Sequence, residues 1–282
     1  MFGLLWIVYI GVVLLGLALG SYLNSWMWRV HERETKGGEL MPPAAHTPLP
    51  RSQRGLALPS RSVCTQCRRE LSWYENIPLV SFIALRGRCA TCGAPIPWDY
   101  FLVELGAGVG FVTMAWYHVE RGIVNPWELL RDLIFLAILI VVFVYDAKYQ
   151  LVLTEVAWSG TIIGFLLNYF ALHYSLSGML IGAAVGGGFF LAQYLLSRGR
   201  WIGGSDVRLG VLMGIWLGWP NILVALFVSY ILGAIVAIPL LLTKKKGMNS
   251  AIPFGTFLAV GTLVTMFWGN QVINWYWGLI RW

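Results

Sequence analysis

Apolar residues along this chain come in long unbroken blocks, without the two-residue period of a strand. Blocks almost free of charge recur at about residues 2–28, 100–118, 130–146, 152–172, 177–197, 207–219, 221–243 and 252–270. A helix rises about 1.5 Å per residue, so some 20 residues cross the roughly 30 Å of hydrocarbon in a bilayer. The pattern predicts an all-α polytopic membrane protein with about eight transmembrane helices. The 207–219 block is short enough to be half-buried instead of spanning. One long polar block separates the first span from the second. Three segments follow: a first transmembrane helix over 1–28, a cytoplasmic loop over 29–99 and a membrane core over 100–282. The first block lacks a small-residue cleavage site, so a helix that stays in the protein is expected.

Composition strengthens this picture. Of 282 residues 58% are hydrophobic and 12% charged, against about 25% charged in a soluble domain. The 15 Trp suit membrane interfaces, and Trp275, Trp277 and Trp282 read as one interfacial belt. The net charge of +7 is compatible with nucleic acid or with a membrane. Its distribution favours the membrane. Ten of the twenty Lys and Arg lie between Arg29 and Arg88, and Lys148, Arg198, Arg200 and Lys244 to Lys246 border apolar blocks. Basic loops stay in the cytoplasm. With eight spans every basic cluster falls inside and both termini outside. Nucleic-acid binding is not expected, and Lys244 to Lys246 hold topology, with lipid headgroups as a secondary contact. No internal repeat is apparent.

All four cysteines lie in the polar block, as Cys64-x-x-Cys67 and Cys89-x-x-Cys92. Two residues between ligands let both sulfurs of a turn face one ion, and two such turns close a tetrahedral site. A structural zinc knuckle is the first expectation. Iron in a four-sulfur site, disulfides and free thiols are the alternatives, and a reducing cytoplasm disfavours disulfides.

Asp146 ends an apolar block and Asp206 follows the pair Gly203-Gly204. Ionisable residues at spans are costly and often functional. Two blocks separate the two aspartates, so both are expected at the cytoplasmic surface. A carboxyl pair sharing one proton can activate water and protonate a scissile carbonyl. Gly203 and Gly204 are expected to let backbone approach a substrate closely and to accept positive φ. The plainer alternative is that each Asp caps a helix or pairs with Lys148, Arg200 or Arg208.

Several stretches together resemble the bacterial type IV prepilin peptidases, polytopic aspartyl proteases of the GxGD type. These are Gly20-Ser-Tyr-Leu-Asn24 with Arg29, Arg61 through Cys67, Trp73 through Ser81, Arg86 through Cys92, Tyr100 through Glu104, Gly203 through Leu209, and Ile252-Pro-Phe-Gly255. The resemblance covers most of the chain. It departs at Ser205, where the family has Gly, and at Val152-Leu-Thr154, where it often has Leu-Pro-Asp. It implies that Asp146 and Asp206 are the catalytic pair. It also implies an aspartic endopeptidase of the bacterial inner (cytoplasmic) membrane, its active site facing the cytoplasm. The implied substrates are prepilins and pseudopilins of type IV pilus and type II secretion systems. These lose a basic leader and are then N-methylated from S-adenosylmethionine. No nucleotide fingerprint marks the methyl-donor site. Glu104 is a candidate methyltransferase or substrate contact, and Asn24 a weaker one, with interhelical hydrogen bonding as the plain alternative. His31, His46, His118 and His173 read as ordinary loop or interface residues. A zinc-bearing membrane scaffold for a secretion machine, and a transporter using the aspartates as a proton relay, are the competing functional classes.

Overall fold

The structure, a computed structural model, describes residues 2–36, 62–123, 125–242 and 253–280. The expectations for Arg61, His46, Lys244 to Lys246, Ile252 and Trp282 lie outside the described residues. Among the described residues the regular elements are helices. They run as α1 (Phe2–Lys36), α2 (Val80–Ala84), α3 (Trp98–Glu120), α4 (Pro126–Tyr149) and α5 (Thr154–Leu166). A π turn, Leu167–Ala171, prolongs α5. Then come α6 (Leu176–Ser197), α7 (Gly204–Leu217), α8 (Asn221–Leu242) and α9 (Phe254–Ile280).

Each of the eight apolar blocks is thus a helix. Five of them, within α1, α3, α6, α8 and α9, are long and apolar enough to cross a membrane. The other three fall short for separate reasons. Helix α4 carries Glu128, Arg131 and Asp132 near one end and Asp146 and Lys148 near the other. Helix α5 gives way to the π turn after 13 residues. Helix α7 has 14 residues, about 21 Å at 1.5 Å each.

The chain forms two compact units, Met1–Trp116 and Tyr117–Trp282. In the first, α1 packs on α3 through glycines. A Cβ on Gly16 would stand 2.7 Å from the Ala107 carbonyl oxygen, and one on Gly20 2.9 Å from Glu104 Cα. Small residues are what allow such close approach between helices in lipid. Asn24 Nδ2 donates to the Tyr100 carbonyl at 3.1 Å, which supports the plain interhelical reading of Asn24.

In the second unit α7 is the buried helix. Leu209, Leu212, Met213 and Trp216 join Phe135, Leu139 and Val142 of α4, Phe190 of α6, Ile222 and Ala225 of α8 and Leu258 of α9 in one core. Helices α6 and α7 touch backbone to backbone, with Gly182 and Gly186 facing Gly214 and Gly210. Trp216 lies flat on Phe135 with centroids 4.4 Å apart, and its Nε1 donates to the Gly160 carbonyl at 2.9 Å. Gly164 leaves room for that indole.

Of the two plain readings of His118, loop or interface, the loop does not hold, since the residue lies on α3. It is buried, with Nε2 2.9 Å from Asp132 Oδ2. Arg131 donates to the other oxygen of Asp132 at 2.8 Å and to the Tyr174 hydroxyl at 2.7 Å. Charges in an apolar helix are tolerated when partnered in this way, and the network ties the end of α3 to the start of α4.

Candidate active site and metal centre

The two CxxC turns have the same backbone, offset by 25 positions. Cys64 N–H donates to the Arg69 carbonyl at 2.9 Å and Arg68 N–H to the Cys64 carbonyl at 3.0 Å. The matching bonds run from Cys89 to Ala94 at 2.8 Å and from Gly93 to Cys89 at 3.0 Å. The bridges Val63–Glu70 and Arg88–Pro95 close the two turns alike. Both need a left-handed residue after the second cysteine, Arg68 at φ 58° and Gly93 at φ 70°. The knuckle is therefore an internal repeat. It went unseen in the sequence because the two copies share backbone form and little besides their cysteines.

The four Sγ atoms lie within 4.8 Å of one another. A tetrahedral zinc with bonds of about 2.3 Å needs sulfurs about 3.8 Å apart, and Cys64 and Cys92 are at 3.9 Å. That separation is nearly twice a disulfide bond of about 2.05 Å. The residues thus fit a four-thiolate metal site. Main-chain N–H groups of Cys92 and Thr91 bring the Cys89 thiol down to about 6, while burial pushes Cys64 up to about 11.

Beside the knuckle, Glu75 is buried. One oxygen accepts from Arg69 Nη2 at 2.6 Å and the other from Ser72 N–H at 2.7 Å. These bonds, the Arg69 one foremost, hold its carboxyl below the usual glutamate range. Sequence reading passed over Glu75, though an acid in an otherwise neutral stretch, Trp73 to Ser81, was a signal. Glu104 is half-buried and accepts from the Leu79 N–H at 2.8 Å. Leu79 sits at φ 60°, sparsely populated for a branched side chain, so this bond helps hold the turn. Glu104 also lines a cavity of about 140 Å³, with Glu75, Trp28, Phe82, Tyr100 and Phe101 on its walls.

In the second unit Asp146, at the end of α4, and Asp206, in the first turn of α7, are 5% and 7% exposed. They lie within electrostatic reach of each other. Main-chain N–H groups hold both. Asp206 Oδ2 accepts from Gly203 at 3.0 Å, and its own N–H donates to the Gly203 carbonyl at 3.1 Å. Asp146 Oδ2 accepts from Thr256, at the start of α9, at 2.8 Å. Arg200, a partner the sequence allowed, turns its Nε to the Ser197 carbonyl at 3.3 Å instead. Gly203 has φ −80° and Gly204 opens α7, so neither adopts the expected positive φ. A Cβ on Gly204 would meet nothing. The role of α9 in the site was not foreseen, although the Pro253-Phe-Gly255 motif was its signal.

Residues 14–118 match the family model described as the bacterial peptidase A24 N-terminal domain, and residues 133–238 match that of the type IV leader peptidase family. The chain is 31% identical to a prepilin leader peptidase/N-methyltransferase of Pseudomonas putida, over 92% of this chain and 90% of the relative. It is 32% identical to one of Legionella pneumophila, over 97% and 96%, and 30% identical to one of Aeromonas salmonicida, over 97% and 95%. No solved structure matches the chain. Two family models in tandem, and relatives aligned over nearly the whole length, place this chain in the type IV leader peptidase family.

Proposed function

We propose that this protein is a prepilin leader peptidase and N-methyltransferase, acting at the cytoplasmic face of a bacterial inner membrane on type IV prepilins and pseudopilins. The observation that carries the reading is the pair of buried carboxylates, Asp146 and Asp206, which α4 and α7 bring within electrostatic reach. The names of the relatives support the same activity.

In this reading Asp146 and Asp206 share one proton, because two nearby carboxylates resist ionising together. The ionised one takes a proton from water as that water attacks the scissile carbonyl. The protonated one donates to the carbonyl oxygen. Collapse of the tetrahedral intermediate returns a proton to the leaving amine. Gly203 and Gly204, with no side chain beside Asp206, leave space for an extended substrate backbone.

The methyl-transfer half is assigned to the aromatic cavity beside Glu104. Its rings suit a cation. S-adenosylmethionine supplies the methyl group when bound, and Glu104 holds the new N-terminal amine and takes its proton. Zinc on Cys64, Cys67, Cys89 and Cys92 is structural, since four protein ligands leave no open position. Eight spans with both termini outside are the topology proposed, and the apolar helix faces contact lipid.

Asp146→Asn and Asp206→Asn test the pair in detergent, on a prepilin with a basic leader. Each substitution should lower cleavage by roughly 10²–10⁴-fold, the worth of a general acid or base. Wild-type rates in both variants would remove the aspartyl mechanism and favour a scaffold. Glu104→Gln should spare cleavage and depress methylation several-fold, and normal methylation would free Glu104 of that role.

A further inference from the structure

We infer that the first turn of α9 positions the Asp146 carboxylate, and that Gly255 is glycine because a side chain there would displace it. This rests on the aspartyl reading above. Helix α9 begins at Phe254, and Thr256 N–H, unpaired within the helix so close to its start, donates to Asp146 Oδ2 at 2.8 Å. The Gly255 N–H lies alongside. A Cβ on Gly255 would stand 2.9 Å from Asp146 Oδ2, 3.1 Å from Cγ and 3.4 Å from Cβ. Its φ is not positive, so conformational freedom does not explain this glycine, and space for the carboxylate does.

The turn is itself held in place. Phe254 packs edge-on against Tyr230 of α8 at 5.1 Å and Phe190 of α6 at 6.1 Å. Thr256 Oγ1 donates to the Pro253 carbonyl at 2.7 Å. An aromatic clamp thus fixes the helix start, and the helix start fixes one carboxylate. Asp206 has a different support, its own capping turn at Gly203. Each acid of the pair is oriented by a separate main-chain donor, and only that of Asp146 comes from a segment distant in sequence.

The test is steady-state cleavage by purified full-length Gly255→Ala, with Asp146→Asn and Gly188→Ala beside it. A Cβ on Gly188 meets nothing. Gly255→Ala should lose roughly 10- to 100-fold in kcat with KM little changed, as for displacement of a catalytic group. The acidic limb of its kcat–pH profile should move from the wild-type position, which a loss of folded protein would not do. Gly188→Ala should match wild type. If Gly255→Ala does not fold by circular dichroism, Thr256→Pro carries the test, because it removes the donor in the first helical turn, where proline breaks no intrahelical hydrogen bond. Wild-type kcat and an unmoved pH limb, with Asp146→Asn inactive, would overturn this inference and leave the aspartyl reading intact. Activity in Asp146→Asn would overturn both.

Discussion

Glu75 couples one carboxylate to the stability of the knuckle turn. Its folded pKa is depressed, by the Arg69 bond first and the Ser72 N–H next. Such a group adds stability that is present above its unfolded value, about 4.3, and is lost as pH falls through the lower folded one. Glu75→Gln should therefore lower the stability of the first unit at neutral pH. The gap between variant and wild type should close as pH falls through the lowered folded value. Chemical denaturation across pH measures it, and a constant gap would contradict the assignment. At this scale the sequence was legible where a cluster is built from side chains. Four cysteines and two aspartates stood out by type and spacing. The donors that orient the aspartates are main-chain N–H groups, which every residue but proline carries, so no residue type announces them.

The existence of each helix was legible because hydrocarbon demands continuous apolar runs, but the ends were not: α1 and α9 run on past their apolar blocks to Lys36 and Ile280, and one block divides into α5 and the π turn. What each helix does was less legible. Helix α7 reads as a short, moderately apolar run, yet it is central, because glycines on α6 and α7 let the two backbones meet. Gly214 faces the Gly182 carbonyl with no room for a methyl group, and backbone cannot step aside as a side chain can. Gly214→Ala should cost about 1–3 kcal/mol, the usual price of overpacking, read as a lower unfolding midpoint in detergent. It should also lower cleavage, since α7 carries Asp206. Gly106→Ala, where a Cβ meets nothing, should be neutral in the same assay. Equal midpoints for the two variants would mean that the helix pair separates easily. The His118–Asp132–Arg131–Tyr174 network escaped sequence reading because its members come from α3, α4 and the segment before α6.

For the molecule as a whole, composition set the cysteine block apart from the apolar blocks, whereas the compact units are Met1–Trp116, which holds that block together with α1 and most of α3, and Tyr117–Trp282. Purified protein should carry about one zinc per chain, the stoichiometry of a four-thiolate site. Removing the metal should expose four thiols and the knuckle backbone to exchange. Retained exchange protection after chelation would show that the turn hydrogen bonds and the Glu75 bonds hold the knuckle without metal. The central claim, that this chain is the peptidase its family membership suggests, is tested most directly by intact-mass analysis of one reaction. Wild-type protein in detergent is incubated with a basic-leader prepilin and S-adenosylmethionine, beside Asp146→Asn and Asp206→Asn. The account predicts a product shorter by the leader and heavier by one methyl group with wild type, and uncut prepilin with either variant. Equal cleavage by all three proteins would contradict it.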